Sequence, residues 1–174
     1  MAHDLEKKLN APAKDILDAI SRGMRAQVDV KGKLAELYLY RILQGLESEG
    51  KVQNLEWLDK DGEPDFRLNR NSKRIRIECK NLRNEIFHKP EPTYKVEIQK
   101  TRNSKDGSNT RSYKKDHFDI LAVCKFNQTG EWGFVFIKAS KLEVVDDNPN
   151  LLKIMHRVPV KTHPPWTEDL TKIL

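Results

Sequence analysis

Three residues have types and spacing that could do chemistry together: Asp65, Glu78 and Lys80. They belong to two short segments that read as extended, Asp65-Phe66-Arg67-Leu68 and Arg74 to Cys79, separated by the turn-forming run Asn69-Arg70-Asn71-Ser72. A hairpin centred on Asn71-Ser72 sets Asp65 directly opposite Glu78, with Cβ atoms ~5 Å apart. Lys80, two residues beyond Glu78, shares its face at ~7 Å. Acids opposed in a hairpin destabilise it unless something neutralises them. A hard divalent cation would do so, since Mg2+ is held by one or two carboxylates plus water and substrate phosphate. The backbone carbonyl of Cys79 could add a further oxygen, and Lys80 could position an attacking water or stabilise charge on a phosphate. The chemistry that suits this set is metal-assisted phosphodiester hydrolysis. The same spacing also fits a plain surface hairpin in which Lys80 pairs with Glu78 or Asp65, an arrangement worth only ~0–1 kcal/mol.

The neighbouring segments must hold that hairpin in place. Arg74 to Cys79 alternates strictly, with Ile75, Ile77 and Cys79 on one face and Arg74, Arg76, Glu78 and Lys80 on the other. Upstream, the first thirty residues read as helix, with Pro12 suited to a first turn and Ile16, Leu17 and Ile20 at helical spacing. A second helix is expected from about Gly32 to Glu47 on Leu34, Leu37, Tyr38, Arg41 and Ile42, ending at Gly45 and Gly50. Val52 to Leu58 reads as extended. Downstream, Asn84 to Tyr94 reads as loop because of its two prolines, Lys95 to Arg102 as helix, and Ser104 to Ser112 as a polar connection. Phe118 to Phe126 is almost continuously apolar, as expected of a strand covered on both faces. Trp132 to Ile137 and Leu152 to Val160 read as further strands, and Thr167-Glu168-Asp169 as the cap of a short last helix. Trp132 and Trp166 read as packing residues. Helices first, then strands, predict an α/β sheet flanked by helices.

Charge is distributed unevenly. The chain carries a formal +6, yet residues 70–115 hold 14 Lys and Arg against five acids, so the excess is local and suits a polyanionic partner. The 174 residues fit one domain, with residues 1–30 as a helical extension, 31–138 as the core and 139–174 as a strand and tail. Two distant cysteines, Cys79 and Cys124, exclude a four-cysteine zinc site and a C-x-x-C motif. His3, His88, His117, His156 and His163 form no metal-binding pair, and no phosphate-binding G-x4-G-K-[ST] loop occurs, so neither zinc chemistry nor ATP use is expected. No apolar run reaches membrane-spanning length, and the first residues show no leader pattern. The expected setting is cytoplasmic, with no membrane partner.

Pro64-Asp65, a gap of 12 residues and then Glu78-Cys79-Lys80 resemble the signature of the PD-(D/E)XK nuclease superfamily. The preceding Gly32-Lys33-Leu34-Ala35-Glu36 is similar to that family's first core helix. Val96 to Arg102 and His117 to Val123 resemble the helix and strand that follow its active hairpin, so the likeness runs from about Lys31 to Lys138. The resemblance implies a restriction-endonuclease-like core, a central mixed β-sheet flanked by α-helices. It implies Asp65 and Glu78 as Mg2+ ligands, with the Cys79 carbonyl beside them, and Lys80 as the water-positioning or charge-stabilising group. Glu36 would be an acid reaching the metal through water, and Gln99 would project toward the site. Lys100, Arg102, Lys105, Arg111, Lys114 and Lys115 would contact DNA. The expected activity is that of a Mg2+-dependent DNA endonuclease, a small type II restriction enzyme acting as a homodimer on double-stranded DNA. Alternatives are a structure- or damage-directed nuclease, such as a junction resolvase or a nicking repair enzyme, and a catalytically inactive nucleic-acid-binding domain.

Overall fold

The computed structural model describes residues 2–60, 62–100 and 111–174. The chain divides into two compact units, Met1–Leu34 and Ala35–Leu174. The first holds α1 (Asp4–Leu9) and α2 (Ala13–Arg22), and α3 (Met24–Ser48) begins there. The ring of His3 and the carboxylate of Glu6 cap α1 reciprocally. Pro12 stands just before α2, where its missing N–H costs nothing. Neither α1 nor α2 buries a side chain.

In the second unit, α3 buries Ala35, Leu39 and Leu43, one residue per turn along a single stripe. That stripe packs against Phe66, Leu68, Ile75, Ile77, Cys79, Ile120, Ala122, Phe134 and Phe136, which form one face of the main sheet. The sheet contains β1 (Gln53–Trp57), β2 (Phe66–Arg70), β3 (Lys73–Phe87), β4 (Thr93–Glu97), β5 (Ile120–Cys124), β6 (Phe134–Lys138) and, after a separate two-stranded pair of β7 (Val144–Val145) and β8 (Asn148–Leu152), β9 (Met155–Pro159). β3 and β5 run parallel, and the other neighbours are antiparallel. β5 explains its own composition: Ile120, Ala122 and Cys124 face α3, while Leu121 and Val123 join Leu82, Val96, Ile98, Phe118, Val135, Ile137 and Val158 on the second face. The α/β class and the central mixed sheet are therefore as expected, with a helix across one face.

The turn between β2 and β3 sets the register of the whole hairpin. Asn71 and Ser72 both adopt positive φ, 49° and 64°, the conformation a two-residue turn needs to follow strand twist. It pairs Phe66 with Ile77 and Leu68 with Ile75, the register expected of a turn centred on these two residues. β3 is the spine of the sheet. It pairs with β2 over residues 73–77, with β5 over 77–81 and with β4 from Leu82 to Phe87.

Several expectations are corrected. The helix expected from about Gly32 to Glu47 runs over Met24–Ser48, and it buries Ala35, Leu39 and Leu43 in place of the expected Leu34, Leu37, Tyr38, Arg41 and Ile42, of which Ile42 stays exposed. Lys95 to Arg102 does not begin as a helix: β4 occupies Thr93–Glu97, between β3 and β9. Val96 and Ile98 are both fully buried, so the operative period is two, and a strand with partners on both edges outcompetes a weak helical pattern. Asn84 to Tyr94 is not all loop, because β3 continues to Phe87 and only residues 88–92, which contain both prolines, connect it to β4. Leu152 to Val160 is two strands, β8 and β9, turning at Lys153-Ile154. The second face of the sheet is closed by Tyr113, Phe118, Leu142, Leu152 and Trp166. The last helix is a single 3-10 turn, Leu170–Lys172, whose Thr171 N–H is capped by Asp169 at 3.0 Å.

Leu39 is fully buried at the centre of the helix–sheet contact. Leu39→Ala is expected to lower the unfolding free energy by about 2–5 kcal/mol, measured by urea denaturation; a loss near zero would mean that α3 does not cover the sheet.

Candidate active site

Asp65 ends the extended approach to β2, and its backbone carbonyl accepts a hydrogen bond from Leu58 N–H at 2.8 Å. Its carboxylate turns toward β3, where Oδ2 accepts from the Cys79 N–H at 2.7 Å. The side chain thus stands in for a partner strand just where the β2 pairing stops. Glu78 projects from β3 and is buried, only 2% exposed. Two donors converge on its Oε1: the Lys80 ammonium at 2.5 Å and the Tyr113 hydroxyl at 2.7 Å. Its Oε2 is buried and has no hydrogen-bond partner among the described residues. Cys79 points the other way, into the core beneath α3, and offers Asp65 its main-chain N–H.

The electrostatics follow from this crowding. Burial first, then the charge of Glu78, pushes the Asp65 carboxyl up to about 7. Glu36 adds to the rise, and Lys80 and the Cys79 N–H oppose it. Burial works against the charge on Lys80, but Glu78, Tyr113 and Asp65 outweigh it and hold the ammonium above the usual lysine range. Lys80 is therefore a donor and a fixed positive charge. Burial, reinforced by Glu78, also holds the Tyr113 hydroxyl above the usual tyrosine range, so it stays protonated and donates.

Glu36, on α3, accepts from the Trp57 indole N–H at 2.9 Å, and Trp57 is wedged between Tyr40 and Phe66. That fixes Glu36 near enough to Asp65 for its charge to be felt there. Gln99 donates to Glu97, which also pairs with Arg83; no described contact links Gln99 with Asp65, Glu78 or Lys80. Arg111, Lys114 and Lys115 are exposed, and Lys114 and Lys115 are anchored through their main chains to Leu151 and Asn150. Lys100 and Arg111 pair through their backbones, with Lys100 N–H donating to Arg111 O at 2.9 Å. Arg102 and Lys105, and most of the polar connection around them, lie outside the described residues. A cavity of about 560 Å3 lined by Arg70, Lys73, Arg76, Lys115 and Lys138 contains none of the three central residues.

Sequence reasoning missed Tyr113. It is the one aromatic in Arg111-Ser112-Tyr113-Lys114-Lys115, and being buried in so polar a tract is the signal that it touches something specific. Its ring packs on His117 at 4.8 Å and edge-on to Phe118 at 5.6 Å.

Among the described residues no three His, Cys, Asp or Glu side chains converge as a complete metal cage. The donors present are two hard carboxylates, Asp65 and Glu78, which suit Mg2+, an ion that keeps several of its waters. The buried Oε2 of Glu78, left without a donor, fits such an ion.

No protein-family model matches the sequence, and no curated protein matches it. Among solved structures the chain is similar to a bacterial homing endonuclease, I-Ssp6803I, with a TM-score of 0.47 and 15% identity over 83% of this chain and 85% of that one. At that level the likeness carries no functional weight. No helix among the described residues is long and apolar enough to cross a membrane.

The raised Asp65 carboxyl has a measurable consequence. Folded, it keeps its proton up to about pH 7; unfolded, it loses it near the ordinary value of about 3.9. Between those limits the native state binds the extra proton, so this group's contribution to stability falls as pH rises. With EDTA present, Asp65→Asn should match the wild type near pH 4 and become progressively the more stable protein up to about pH 7. Parallel stability curves across that range would show that Asp65 is not crowded by Glu78.

Proposed function

We propose that this chain is a Mg2+-dependent DNA endonuclease that hydrolyses phosphodiester bonds in double-stranded DNA, of the small type II restriction kind. The observation that carries the reading is Glu78, a buried carboxylate with both available donors on Oε1 and none on Oε2. A carboxylate kept for stability alone would spread its donors over both oxygens, because an unsatisfied buried polar atom costs about 1–3 kcal/mol or more. The carboxylates of Asp65 and Glu78, the latter through Oε2, and the Cys79 carbonyl would hold the ion. When bound, it would polarise the scissile phosphate and lower the pKa of an attacking water.

The protein's own groups supply the rest. Lys80 carries a fixed positive charge beside Glu78 and can stabilise the charge that builds on the phosphate. The Cys79 N–H holds Asp65 in place, and Glu36 keeps the local field negative. Arg111, Lys114 and Lys115 offer exposed cations for phosphates of the duplex. One such site cuts one strand, so cutting both strands takes either two copies related by two-fold symmetry or two successive nicks.

Incubation with plasmid DNA and Mg2+ should give discrete fragments, and EDTA should abolish them. Asp65→Asn and Glu78→Gln should each lower cleavage by about 10²–10³-fold or more while leaving DNA retention in a gel-shift assay nearly intact. Full activity in both variants would remove these acids from the chemistry, and a smear in place of bands would remove the restriction assignment. Separately, neutralising Arg111, Lys114 and Lys115 together should reduce the slope of log affinity against log salt by about 2–3, near 0.9 for each phosphate contact. An unaltered slope would place these residues away from DNA.

A further inference from the structure

Glu78 has a long side chain with several rotatable bonds, and a carboxylate offers about four acceptor positions on its two oxygens. Something must decide which oxygen faces the acids. Lys80 is a poor candidate to decide it alone, because an ammonium on a flexible stem is a point charge with no directional preference of its own. Tyr113 is different. Its ring turns about only two bonds and is clamped between His117 at 4.8 Å and Phe118 at 5.6 Å. Its backbone carbonyl accepts from Leu152 N–H at 2.9 Å, and the next residue bridges to Leu151, so its main chain is tied to β8. The hydroxyl therefore reaches Glu78 Oε1 from a rigid base, across 35 residues of sequence, at 2.7 Å. The Lys80 ammonium, 5.8 Å from the centre of the same ring, meets that oxygen from another side.

We propose that Tyr113 is a positioning residue for the metal-binding carboxylate: its hydroxyl pins Oε1 of Glu78 and so presents Oε2 to the divalent cation. The proposal rests on the nuclease reading above. Tyr113 touches neither the ion nor the substrate. It acts through Glu78, as hydrogen-bond partners behind metal ligands do elsewhere, where their removal weakens metal affinity by about 10–100-fold. It also joins the site to the basic tract, since Arg111, Lys114 and Lys115 lie within two residues of it.

The test is calorimetric titration of Mn2+ into the full chain without DNA, comparing wild type, Tyr113→Phe and Glu78→Gln. Tyr113→Phe removes one oxygen and keeps the ring. Its affinity for the ion should fall about tenfold, and the Mg2+ concentration for half-maximal cleavage should rise in step, while cleavage at saturating Mg2+ recovers to within a few-fold of wild type. Ion affinity unchanged in Tyr113→Phe but lost in Glu78→Gln would overturn the role of Tyr113 and leave the nuclease reading standing. Ion binding absent in the wild type, or unaffected in Glu78→Gln, would overturn the reading itself and the role of Tyr113 with it. A lower melting temperature for ion-free Tyr113→Phe, with the ion titration unmoved, would mark Tyr113 as purely structural and also sink the proposal.

Discussion

The constraint on which the site depends is the cost of burying a carboxylate. An ionised acid removed from water must be paired and hydrogen-bonded or it takes up a proton. Glu78 is buried inside the second face of the sheet, and the chain meets the cost by bringing an ammonium and a hydroxyl to one of its two oxygens. Those contacts require Lys80 to lie two residues along the same strand and Tyr113 to be delivered from a distant segment. The order of the surrounding elements follows from these two requirements.

β3 is the element that makes them compatible. Its first residues pair with β2, its middle with β5 and its last with β4. The acids sit at the changeover, where Asp65 has left β2 and its side chain has taken over the Cys79 N–H. A strand fully laddered on both edges would have no main-chain donor to offer a carboxylate. Past the changeover, Asn127 and Gln128 donate side-chain amides to the carbonyls of Leu82, Arg83 and Asn84. The short helix Phe126–Thr129 thereby steadies the strand beyond the site. On the near side, Arg76 and Asp119 form a two-pronged ion pair that ties the start of β3 to the start of β5.

Local pattern made the hairpin legible. Asn71-Ser72 lies between two alternating segments in a run of turn-forming residues, and once the turn is placed there, the opposition of Asp65 and Glu78 follows by counting. The unbroken apolar run of β5 was legible for the same reason, because burial on both faces removes the polar alternation from the chain. The buried face of α3 was not: Leu34, Leu37, Tyr38, Arg41 and Ile42 suggested one stripe, whereas Ala35, Leu39 and Leu43 are buried and Ile42 stays exposed. β4 was not. Val96 and Ile98 alternate over too few residues to outvote the prolines before them, and only pairing with β3 and β9 makes the segment a strand. Tyr113 was not legible either, because no local rule says that a tyrosine in a basic tract will fold back onto a carboxylate 35 residues earlier.

The acids themselves carry the last step. Burial, then the charge of Glu78 and with it that of Glu36, raise the Asp65 carboxyl, and Lys80 opposes them without cancelling them. A proton on Asp65 relieves part of that crowding. On the proposed reading a divalent cation would relieve it further, and as a small ion with exchangeable waters it would leave room for a phosphate. Glu78, with both its donors on one oxygen, is poorly suited to being half of a plain buried ion pair, which needs donors on every oxygen.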